Sequence, residues 1–335
     1  MASIRKGDVP VSQDGTQDSA AVVSPRSTLG GSARASNGGA TLSKLGAMPA
    51  PRQRSLWTDA WRRLAKNKGA LIGLIIVVLF ILMASLAPLF APYGESEVVD
   101  VRLANHGPTW LWPFGLDQNG RDVWSRTLYG ARVSLLVGVV SQLIVLALGV
   151  PVGAIAGFFA GNIDNALMRF VDVFYAVPQL LLVMIFLNLF GPGLFNIFLG
   201  IGLVSWVTIA RLVRGQFLSL REAEYVNASR VSGSGNWTIM FRHLLPNSLT
   251  PIIVAITFGI PTAIFTEAAL SFVGVGINPP QASWGQMVGV GTDMGLVQSA
   301  PHILLFPVAA IGLTMLGFTF LGDGLRDALD VRSKD

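Results

Sequence analysis

The sequence has 335 residues, of which 52% are hydrophobic and 13% are charged, whereas about a quarter of the residues in a soluble domain are charged. This balance excludes an ordinary water-soluble domain and indicates a protein whose main solvent is lipid. The net charge is +5, and the chain contains no cysteine. Disulfides, thiolate metal sites and cysteine chemistry are therefore excluded.

Residues 1–55 differ in composition from the rest of the chain. They are rich in Gly, Ser, Ala, Thr and Pro, and they contain no apolar run that could serve as a signal-peptide core. A segment of this kind cannot bury enough apolar surface to fold, so we predict a disordered cytoplasmic tail. A dispensable extension is the favoured interpretation, and a regulatory or lipid-contacting arm is the alternative.

Residues 56–335 contain six apolar runs, each close to the roughly 20 residues that a helix needs to cross the hydrocarbon core of a bilayer. The runs are continuous rather than alternating, which favours helices over the strands of a barrel. The predicted fold class is therefore an all-α membrane protein with six transmembrane helices. The predicted spans are residues 70–90, 133–159, 171–189, 194–213, 249–273 and 303–321.

Lys and Arg residues near the ends of the spans predict the orientation, because cytoplasmic flanks are enriched in them. If residues 50–69 are cytoplasmic, that side carries fifteen of these flanking Lys and Arg residues and the other side carries four. Both termini are therefore predicted to be cytoplasmic. Most of the net positive charge is then a signal of topology, and it does not indicate a nucleic-acid partner.

The loop before the second span ends in FGLDQNGRDVWSRTLYGARVSL, with charges at Asp117, Arg121, Asp122 and Arg126. Asp122 precedes Ser125 by three residues and Arg126 by four, so we expect an amphipathic helix outside the membrane before the second span begins. Its charged face is either simply solvated or a docking surface for an extracytoplasmic partner. The sequence leaves these two alternatives open.

Four glycines recur every four residues in the second span, at Gly149, Gly153, Gly157 and Gly161. Each step of four residues turns a helix by about 400°, so the glycines form one stripe of small residues. Such a stripe allows the backbone of another helix to approach closely. It fits a helix of this chain and a helix of a second subunit equally well.

Prolines interrupt the third, fifth and sixth spans at Pro178, Pro251, Pro261 and Pro307. Each proline removes a backbone donor and is expected to bend its helix. Bends of this kind suit a gate, and they also suit a static bundle. Pro178 and Phe272, the latter near the end of the fifth span, are candidate residues for a gate or for the translocation path.

Acidic residues inside apolar spans are costly, so each one calls for a functional hypothesis. Asp172 lies three residues from Arg169, which predicts a local ion pair. Glu267 has no basic residue close to it in sequence. Glu267 either lines a translocation path or hydrogen-bonds to a nearby hydroxyl, for which the candidates are Thr262, Thr266 and Ser271.

The chain has no motif for phosphate binding or hydrolysis, because GxxxxGK[ST] and HExxH are absent and spacing indicates no nucleophile–base pair. We therefore predict no catalytic residue and no metal site. A transport protein of this kind conducts passively, couples to an ion gradient or takes energy from another subunit. A gradient-coupled transporter and a membrane scaffold without transport activity are the alternatives to an ATP-driven permease.

The polar segment EYVNASRVSGSGNWTIMFRHLLP lies between the fourth and fifth spans. The helix that leaves the fourth span is expected to continue to Val231, where residues 232–235 break it. Asn236 is the predicted N-cap of a second helix that ends before Pro246. The expected element is a helix, a tight corner and a second helix within a cytoplasmic loop over residues 214–247.

This segment resembles the coupling loop of the permease subunits of bacterial ABC importers, in which a Glu-Ala-Ala triplet, a glycine and a Leu-Pro pair recur at fixed spacing. The matching residues here are Asn227, Ala228 and Ser229 for the triplet, Gly233 for the glycine, and Leu245 and Pro246 for the pair. The resemblance implies that this loop, including Arg230, contacts an ATPase. Asn227 replaces the carboxylate of the triplet, and Glu224 lies one turn earlier.

Residues 57–332 also resemble the C-type permeases of dipeptide and oligopeptide ABC importers. The stretches that carry this resemblance include WRRLAKNKGALIGLIIVVLFILMASLAPLFAPY, MRFVDVFYAVPQLLL, FTEAALSFVGVG and FLGDGLRDALD. The resemblance implies the helix bundle of a type I ABC importer permease, located in the bacterial plasma (inner) membrane.

The same resemblance implies the partners of the chain. They are a second, homologous permease that forms a heterodimer, two ABC ATPase subunits, an extracytoplasmic substrate-binding protein and a peptide substrate. ATP and Mg would be used by the ATPases, and this chain would bind no cofactor. Nickel, glutathione and other small molecules are the alternative cargo, because the binding protein does most of the selecting.

Overall fold

The computed structural model describes residues 56–329. The tail predicted over residues 1–55 lies outside the described residues, and so do Arg332 and Lys334, which contribute to the predicted orientation. Within the described part of the chain, the regular elements are helices. The predicted all-α class is therefore confirmed.

The α-helices, in chain order, are α1 (Leu56–Lys66), α2 (Lys68–Ser85), α3 (Ala87–Phe90), α4 (Val123–Phe159), α5 (Gly161–Tyr175), α6 (Gln179–Phe190), α7 (Leu194–Leu220), α8 (Glu224–Val231), α9 (Asn236–Thr238), α10 (Leu245–Phe272), α11 (Trp284–Gly291), α12 (Met294–Ser299) and α13 (His302–Leu329). A short 3-10 helix covers Val101–Leu103. A π-helix over Ile239–Leu244 joins α9 to α10, so that Asn236–Phe272 is one continuous helix.

Five helices of the described chain are long and apolar enough to cross a membrane, namely α2, α4, α7, the continuous helix Asn236–Phe272 and α13. α5 and α6 pass the same test as a pair, but they are bent by 81° at the short break between them. Counted as one span, the bent pair brings the total to the six spans predicted from the sequence.

α4 and α7 pack against each other along the glycine stripe. A Cβ atom added to Gly149 would lie 2.8 Å from the carbonyl oxygen of Trp206, and one added to Gly157 would lie 2.7 Å from that of Arg214. A Cβ added to Gly153 would overlap the carbonyl group of Ala210, which lies between these two points on α7. Because no larger residue fits at such distances, the stripe serves close backbone packing within this chain.

The order of these contacts shows that α4 and α7 run parallel, since residue numbers increase together along both helices. Two parallel spans require the chain between them to cross the membrane once in the opposite direction. α5 and α6 supply that return. The bent pair therefore counts as one span of the bundle, despite its 81° bend.

Gly161 does not belong to the stripe, so this part of the prediction is wrong. Its φ is +58°, and no atom lies within 4 Å of a Cβ added there. With Ala160 at φ +51°, it forms the sharp turn between α4 and α5, where glycine tolerates the left-handed backbone. α4 also contains Pro151, a helix-interior proline that the sequence reasoning overlooked.

The third span is broken where the sequence predicts one helix over residues 171–189. Pro178 lies at the break with φ −53° and ψ 126°, directly before α6. A proline lacks the amide donor that would continue the helix, and it disfavours helical backbone in the residue before it. The other predicted bend positions lie inside continuous helices, at Pro251, Pro261 and Pro307.

Two ion pairs join α5 to α7. Arg214 binds both carboxylate oxygens of Asp164, at 2.5 and 2.7 Å. Arg211 Nη2 lies 2.6 Å from Asp172 Oδ1. Asp172 therefore pairs with a neighbouring helix rather than with Arg169, and the predicted local pair is wrong. The bidentate pair holds the beginning of α5 against the last turns of α7.

α2 and α13 pack antiparallel on the other side of the bundle. A Cβ added to Gly317 would lie 2.8 Å from Ile76, while Gly324, further along α13, meets Ala70 near the beginning of α2. α1 packs beside that end of α13. The C-terminal ends of α4, α7 and α13 lie on one side of the bundle together with α1 and α8, and we call this side the α8 face.

Gly153→Ala is expected to loosen the α4–α7 contact, because the added methyl group would overlap the carbonyl group of Ala210. Overpacking of this kind costs about 1–3 kcal/mol, so the variant should unfold at a lower temperature than the wild-type protein. Gly312→Ala is the control, because Gly312 lies in α13 with no atom within 4 Å of an added Cβ. Equal unfolding temperatures of the two variants in the same detergent would contradict the close backbone contact.

Candidate functional site

The corner after α8 is built from backbone hydrogen bonds. The Gly233 amide donates to the Arg230 carbonyl at 3.0 Å, and the Ser234 amide donates to the Ser229 carbonyl at 3.1 Å. Together they form the Schellman arrangement that closes a helix. Gly233 has φ +82°, which glycine adopts without strain. The expected succession of helix, tight corner and helix is present.

α8 is attached to the bundle through one buried side chain. Val226 is fully buried and belongs to an apolar cluster with Phe158 at the end of α4, Phe217 at the end of α7 and Leu244 before α10. Apolar burial of a valine stabilises such a contact by about 1.5–3 kcal/mol. The position of α8 is therefore set by the ends of α4 and α7 and by the helix that continues into α10.

The outward side of α8 carries the residues predicted to contact an ATPase. Glu224, Asn227, Ala228, Arg230 and Gly233 are exposed, and Ser229 is half-buried. The Asn227 side-chain oxygen accepts a hydrogen bond from Arg230 Nη1 at 3.2 Å. An amide and a guanidinium group thus lie side by side on one turn of α8, where both can form hydrogen bonds with a protein partner.

Two local predictions for this loop are wrong. α7 ends at Leu220 and α8 begins at Glu224, so the helix does not run unbroken to Val231. Asn236 is the first residue of α9 rather than its N-cap, and its side chain makes no capping hydrogen bond. Gly235 takes the cap position with extended backbone, which turns the chain into the helix without a side-chain cap.

The second helix also does not end before Pro246. It continues through the π-helix Ile239–Leu244 into α10, where Leu245 is half-buried and Pro246 exposed. The Leu245 amide donates to the Met240 carbonyl, five residues earlier. This wider turn accommodates a proline that has no amide to donate. The chain after the corner is therefore one helix that runs into the fifth span.

Two aromatic side chains in the helix after the corner form an exposed surface that the sequence reasoning missed. Trp237 is 60% exposed and Phe241 is 58% exposed, and their rings stack with centroids 5.8 Å apart. Their four-residue spacing on a helix is the signal that indicates such a pair. The two rings line an apolar cavity of about 220 Å³ with Pro151 and Ile155 of α4, and exposed apolar surface of this kind contacts proteins or membranes. Partial burial raises the pKa of the Tyr225 hydroxyl on α8, which stays neutral at pH 7.

The four outer-loop candidates lie on the opposite side of the bundle, where Arg121 is half-buried and the other three are buried. Arg126 donates to the Glu95 carbonyl at 2.9 Å and to Gln286 Oε1 at 3.0 Å. Its Nε lies 3.5 Å from Asp117 Oδ2. The buried charges therefore attach the outer loop to α4 and α11, and Arg121 retains an accessible part.

The amphipathic helix expected before the second span is not present as a separate element. α4 begins at Val123 and continues through the second span as one helix. Asp122 is its N-cap and accepts a hydrogen bond from the Ser125 amide at 2.8 Å. The residues before it form a turn closed by a bridge between Leu116 and Asp122. The charges lie close in sequence because they cap and anchor the span.

Glu267 is fully buried between α10, α4 and the loop before α11. Its carboxylate accepts hydrogen bonds from the hydroxyls of Ser271 and Ser283, each at 2.8 Å, and from that of Ser134 at 3.5 Å. The two threonines considered from the sequence bond instead to carbonyls of their own helix. Glu267 thus connects three elements through hydroxyl groups, two of which are distant in sequence.

The three candidate path residues do not form one site in this structure. Pro178 is exposed at the break between α5 and α6. Phe272 is exposed at the end of α10, beside an apolar groove that α13 also lines. Glu267 is enclosed by its hydroxyl partners, and a path role for the three residues stays a prediction. Among residues 56–329, no group of three or more His, Asp or Glu side chains is placed to hold a metal ion.

Two protein-family models match the chain. Residues 149–335 match the family described as binding-protein-dependent transport system inner membrane component. Residues 55–108 match the N-terminal TM domain of oligopeptide transport permease C. The two matches include α8, its corner and most of the membrane-spanning helices.

Three curated proteins illustrate the similarity. The chain is 44% identical to oligopeptide transport system permease protein OppC of Bacillus subtilis, over 82% of this chain and 90% of the relative. It is 44% identical to dipeptide transport system permease protein DppC of the same organism, over 81% and 84%. It is 38% identical to glutathione transport system permease protein GsiD of Pectobacterium atrosepticum, over 87% and 97%.

One solved structure shares the fold. A chain from an inward-facing structure of the MetNI methionine ABC transporter superimposes with a TM-score of 0.51 and 20% sequence identity. The match covers 61% of this chain and 96% of that chain. The arrangement of helices is therefore one that a known ABC transporter also uses.

Glu267→Ala is expected to lower the unfolding temperature, because it leaves buried serine hydroxyls without their acceptor. The cost of such unpaired groups is about 1–3 kcal/mol. Glu267→Gln should lower the unfolding temperature less, since the carbonyl oxygen of glutamine still accepts a hydrogen bond from a serine hydroxyl. Thermal unfolding of both variants in one detergent measures the difference. An unfolding temperature of Glu267→Ala equal to that of the wild-type protein would contradict the role of this cluster.

Proposed function

Because the chain belongs to the family of binding-protein-dependent transport system inner membrane components, we propose that it moves dipeptides or oligopeptides through the membrane with energy from a separate ATPase. The chain is a multi-pass permease subunit of the inner membrane. The proposed energy coupling depends on the placement of α8. This helix is attached to the bundle by one buried residue, Val226, and its outer side is exposed.

α8 is proposed as the contact with the ATPase. Asn227, Arg230 and the corner at Gly233 are accessible there, and the exposed aromatic pair Trp237 and Phe241 follows the corner along the chain. A force on α8 reaches α4 and α7 through Val226, and it reaches α10 through the continuous helix after the corner. Closure of two ATPases on ATP and Mg would therefore move these spans together.

The α8 face is proposed to lie in the cytoplasm, where ATP is available. The distribution of Lys and Arg along the sequence supports this orientation. Both termini would then be cytoplasmic, and the outer loop with Arg121 would face the extracytoplasmic binding protein. The buried pair of Asp117 and Arg126 would fix the loop at that surface, together with Asp122 at the beginning of α4.

A second, homologous permease is proposed to complete the transporter as a heterodimer with two ATPase subunits. The exposed faces of this chain are apolar at many positions along the spans, which suits contact with lipid and with another helix bundle. This chain supplies translocation and the coupling surface, and ATP hydrolysis belongs to the partners.

Peptide is the proposed cargo. The relatives named for oligopeptides and dipeptides are 44% identical to the chain, and the relative named for glutathione is 38% identical. Glutathione is the second candidate on that observation. It is itself a short peptide, so one path suits both kinds of cargo.

Gly233→Trp should disconnect the ATPase from the bundle. No atom lies within 4 Å of a Cβ added at Gly233, so the ring would extend outward into the proposed interface. A loss of about 1.4 kcal/mol in the free energy of binding between the ATPase and α8 lowers the affinity tenfold. Peptide-stimulated ATP hydrolysis and peptide uptake should therefore fall by about tenfold or more in vesicles that contain the whole transporter.

Gly191→Trp is the matched control. Gly191 has φ +88° and equally open surroundings, but it lies between α6 and α7 on the opposite side of the bundle. Equal uptake by the two variants would contradict the coupling assignment. In the same vesicles, binding protein loaded with an oligopeptide should stimulate hydrolysis more strongly than binding protein loaded with glutathione, and the reverse order would overturn the cargo assignment.

A further inference from the structure

A groove between α4, α6, α7 and α10 combines polar and apolar side chains inside the membrane-spanning part of the bundle. Its volume is about 330 Å³. Its polar lining consists of Gln142, Gln179, Ser205, Thr208 and Thr262. We propose that this groove is the wall of the translocation path that contacts the peptide main chain, an assignment that rests on the proposed function.

Exposed polar groups in a membrane span are the first reason for this assignment. Gln179, Thr208 and Thr262 are exposed in this chain. Gln179 donates to Ser205 and Thr262 donates to the Phe258 carbonyl, whereas Thr208 makes no side-chain hydrogen bond to any residue of the described chain. A polar group that faces lipid without a partner is costly. The groove therefore faces water or substrate rather than lipid.

The groove also differs from the other large depression on the same helices. A cavity of about 520 Å³ between α4, α5, α6 and α7 is lined by side chains such as Leu148, Phe174, Leu203 and Trp206, with no polar side chain other than the indole of Trp206. Leu203 and Thr208 are both exposed on α7. Two sides of one helix are thus suited to different surroundings, apolar around Leu203 and hydrogen-bonding around Thr208.

Two contacts hold the amide groups of the groove in place. Gln179 Nε2 donates to the Ser205 hydroxyl at 2.6 Å, which leaves the Gln179 oxygen and the Ser205 hydrogen available. Gln142 Nε2 donates to the Gly259 carbonyl at 3.1 Å. A Cβ at Gly259 would overlap this Gln142 carboxamide, so the absence of a side chain there makes room for it.

The chemistry of the lining identifies the part of the substrate that it contacts. Asp, Glu, Lys, Arg and His are absent from the residues that line this groove. Amide and hydroxyl groups both donate and accept hydrogen bonds, as the NH and CO groups of a peptide main chain do. A neutral wall of this kind can bind the main chain of an extended peptide whatever charges the peptide side chains carry. It has no charged side chain that would hold a charged peptide side chain in place.

Cysteine accessibility tests the assignment directly, because the natural chain contains no cysteine. Thr208→Cys and Thr262→Cys place a thiol in the groove. Leu203→Cys on α7 and Phe265→Cys on α10 are matched controls, since these two side chains are 37% and 57% exposed outside it. In vesicles with the whole transporter, a membrane-impermeant cationic thiol reagent should modify the two groove positions at least tenfold faster than the controls.

Peptide should slow the reaction at the groove positions and leave the control positions unchanged. Equal reaction rates at all four positions, or no protection by a transported oligopeptide, would overturn the groove assignment. Uptake of the oligopeptide by the unlabelled wild-type transporter is measured in parallel. Normal uptake without preferential labelling would contradict the groove alone, whereas absent uptake would contradict the proposed function and, with it, the peptide assignment of the groove.

Discussion

Gly149 and Gly157 bring the backbone of α4 within contact distance of carbonyl oxygens on α7, so that even a methyl group would not fit between the helices. Because these contacts place α4 and α7 parallel, the intervening chain must cross back between them. It does so as the bent pair α5 and α6, which two ion pairs hold to α7. The close helix pair thus determines both the path of the chain and the concave surfaces beside it.

The same helix pair determines where α8 lies. Phe158 lies in the last turn of α4 and Phe217 in the last turn of α7, and both rings form one buried apolar cluster with Leu244 and Val226. α8 has no other buried residue, so its position follows from the ends of the paired helices. On the far side of the corner, the π-helix keeps the chain helical into α10. A partner that moves α8 therefore moves three spans at once.

Hydropathy predicted the spans because crossing a bilayer requires a run of apolar residues of sufficient length. The break at Pro178 was not predicted as a break, because one proline permits either a bend or a continuous helix, as Pro307 shows. Ser271 was among the predicted partners of Glu267, and the structure confirms it. The partner of Asp172 and the other two serines around Glu267 could not be read from the sequence, since Arg211, Ser134 and Ser283 are distant along the chain. Local spacing predicted the corner at Gly233 correctly. The prediction of Asn236 as an N-cap was wrong, because Gly235 occupies the cap position without a side-chain hydrogen bond.

The central claim is that α8 and the α4–α7 pair move as one rigid body, which a distance between spin labels tests directly. Labels at Val231→Cys on α8 and Leu143→Cys on α4 use two exposed positions in a chain without cysteine of its own. In the assembled transporter, pulsed electron resonance should give one narrow distance that is the same without nucleotide and with ATP bound. A distribution that broadens, or that shifts by more than about one helical turn, roughly 5 Å, would contradict rigid coupling.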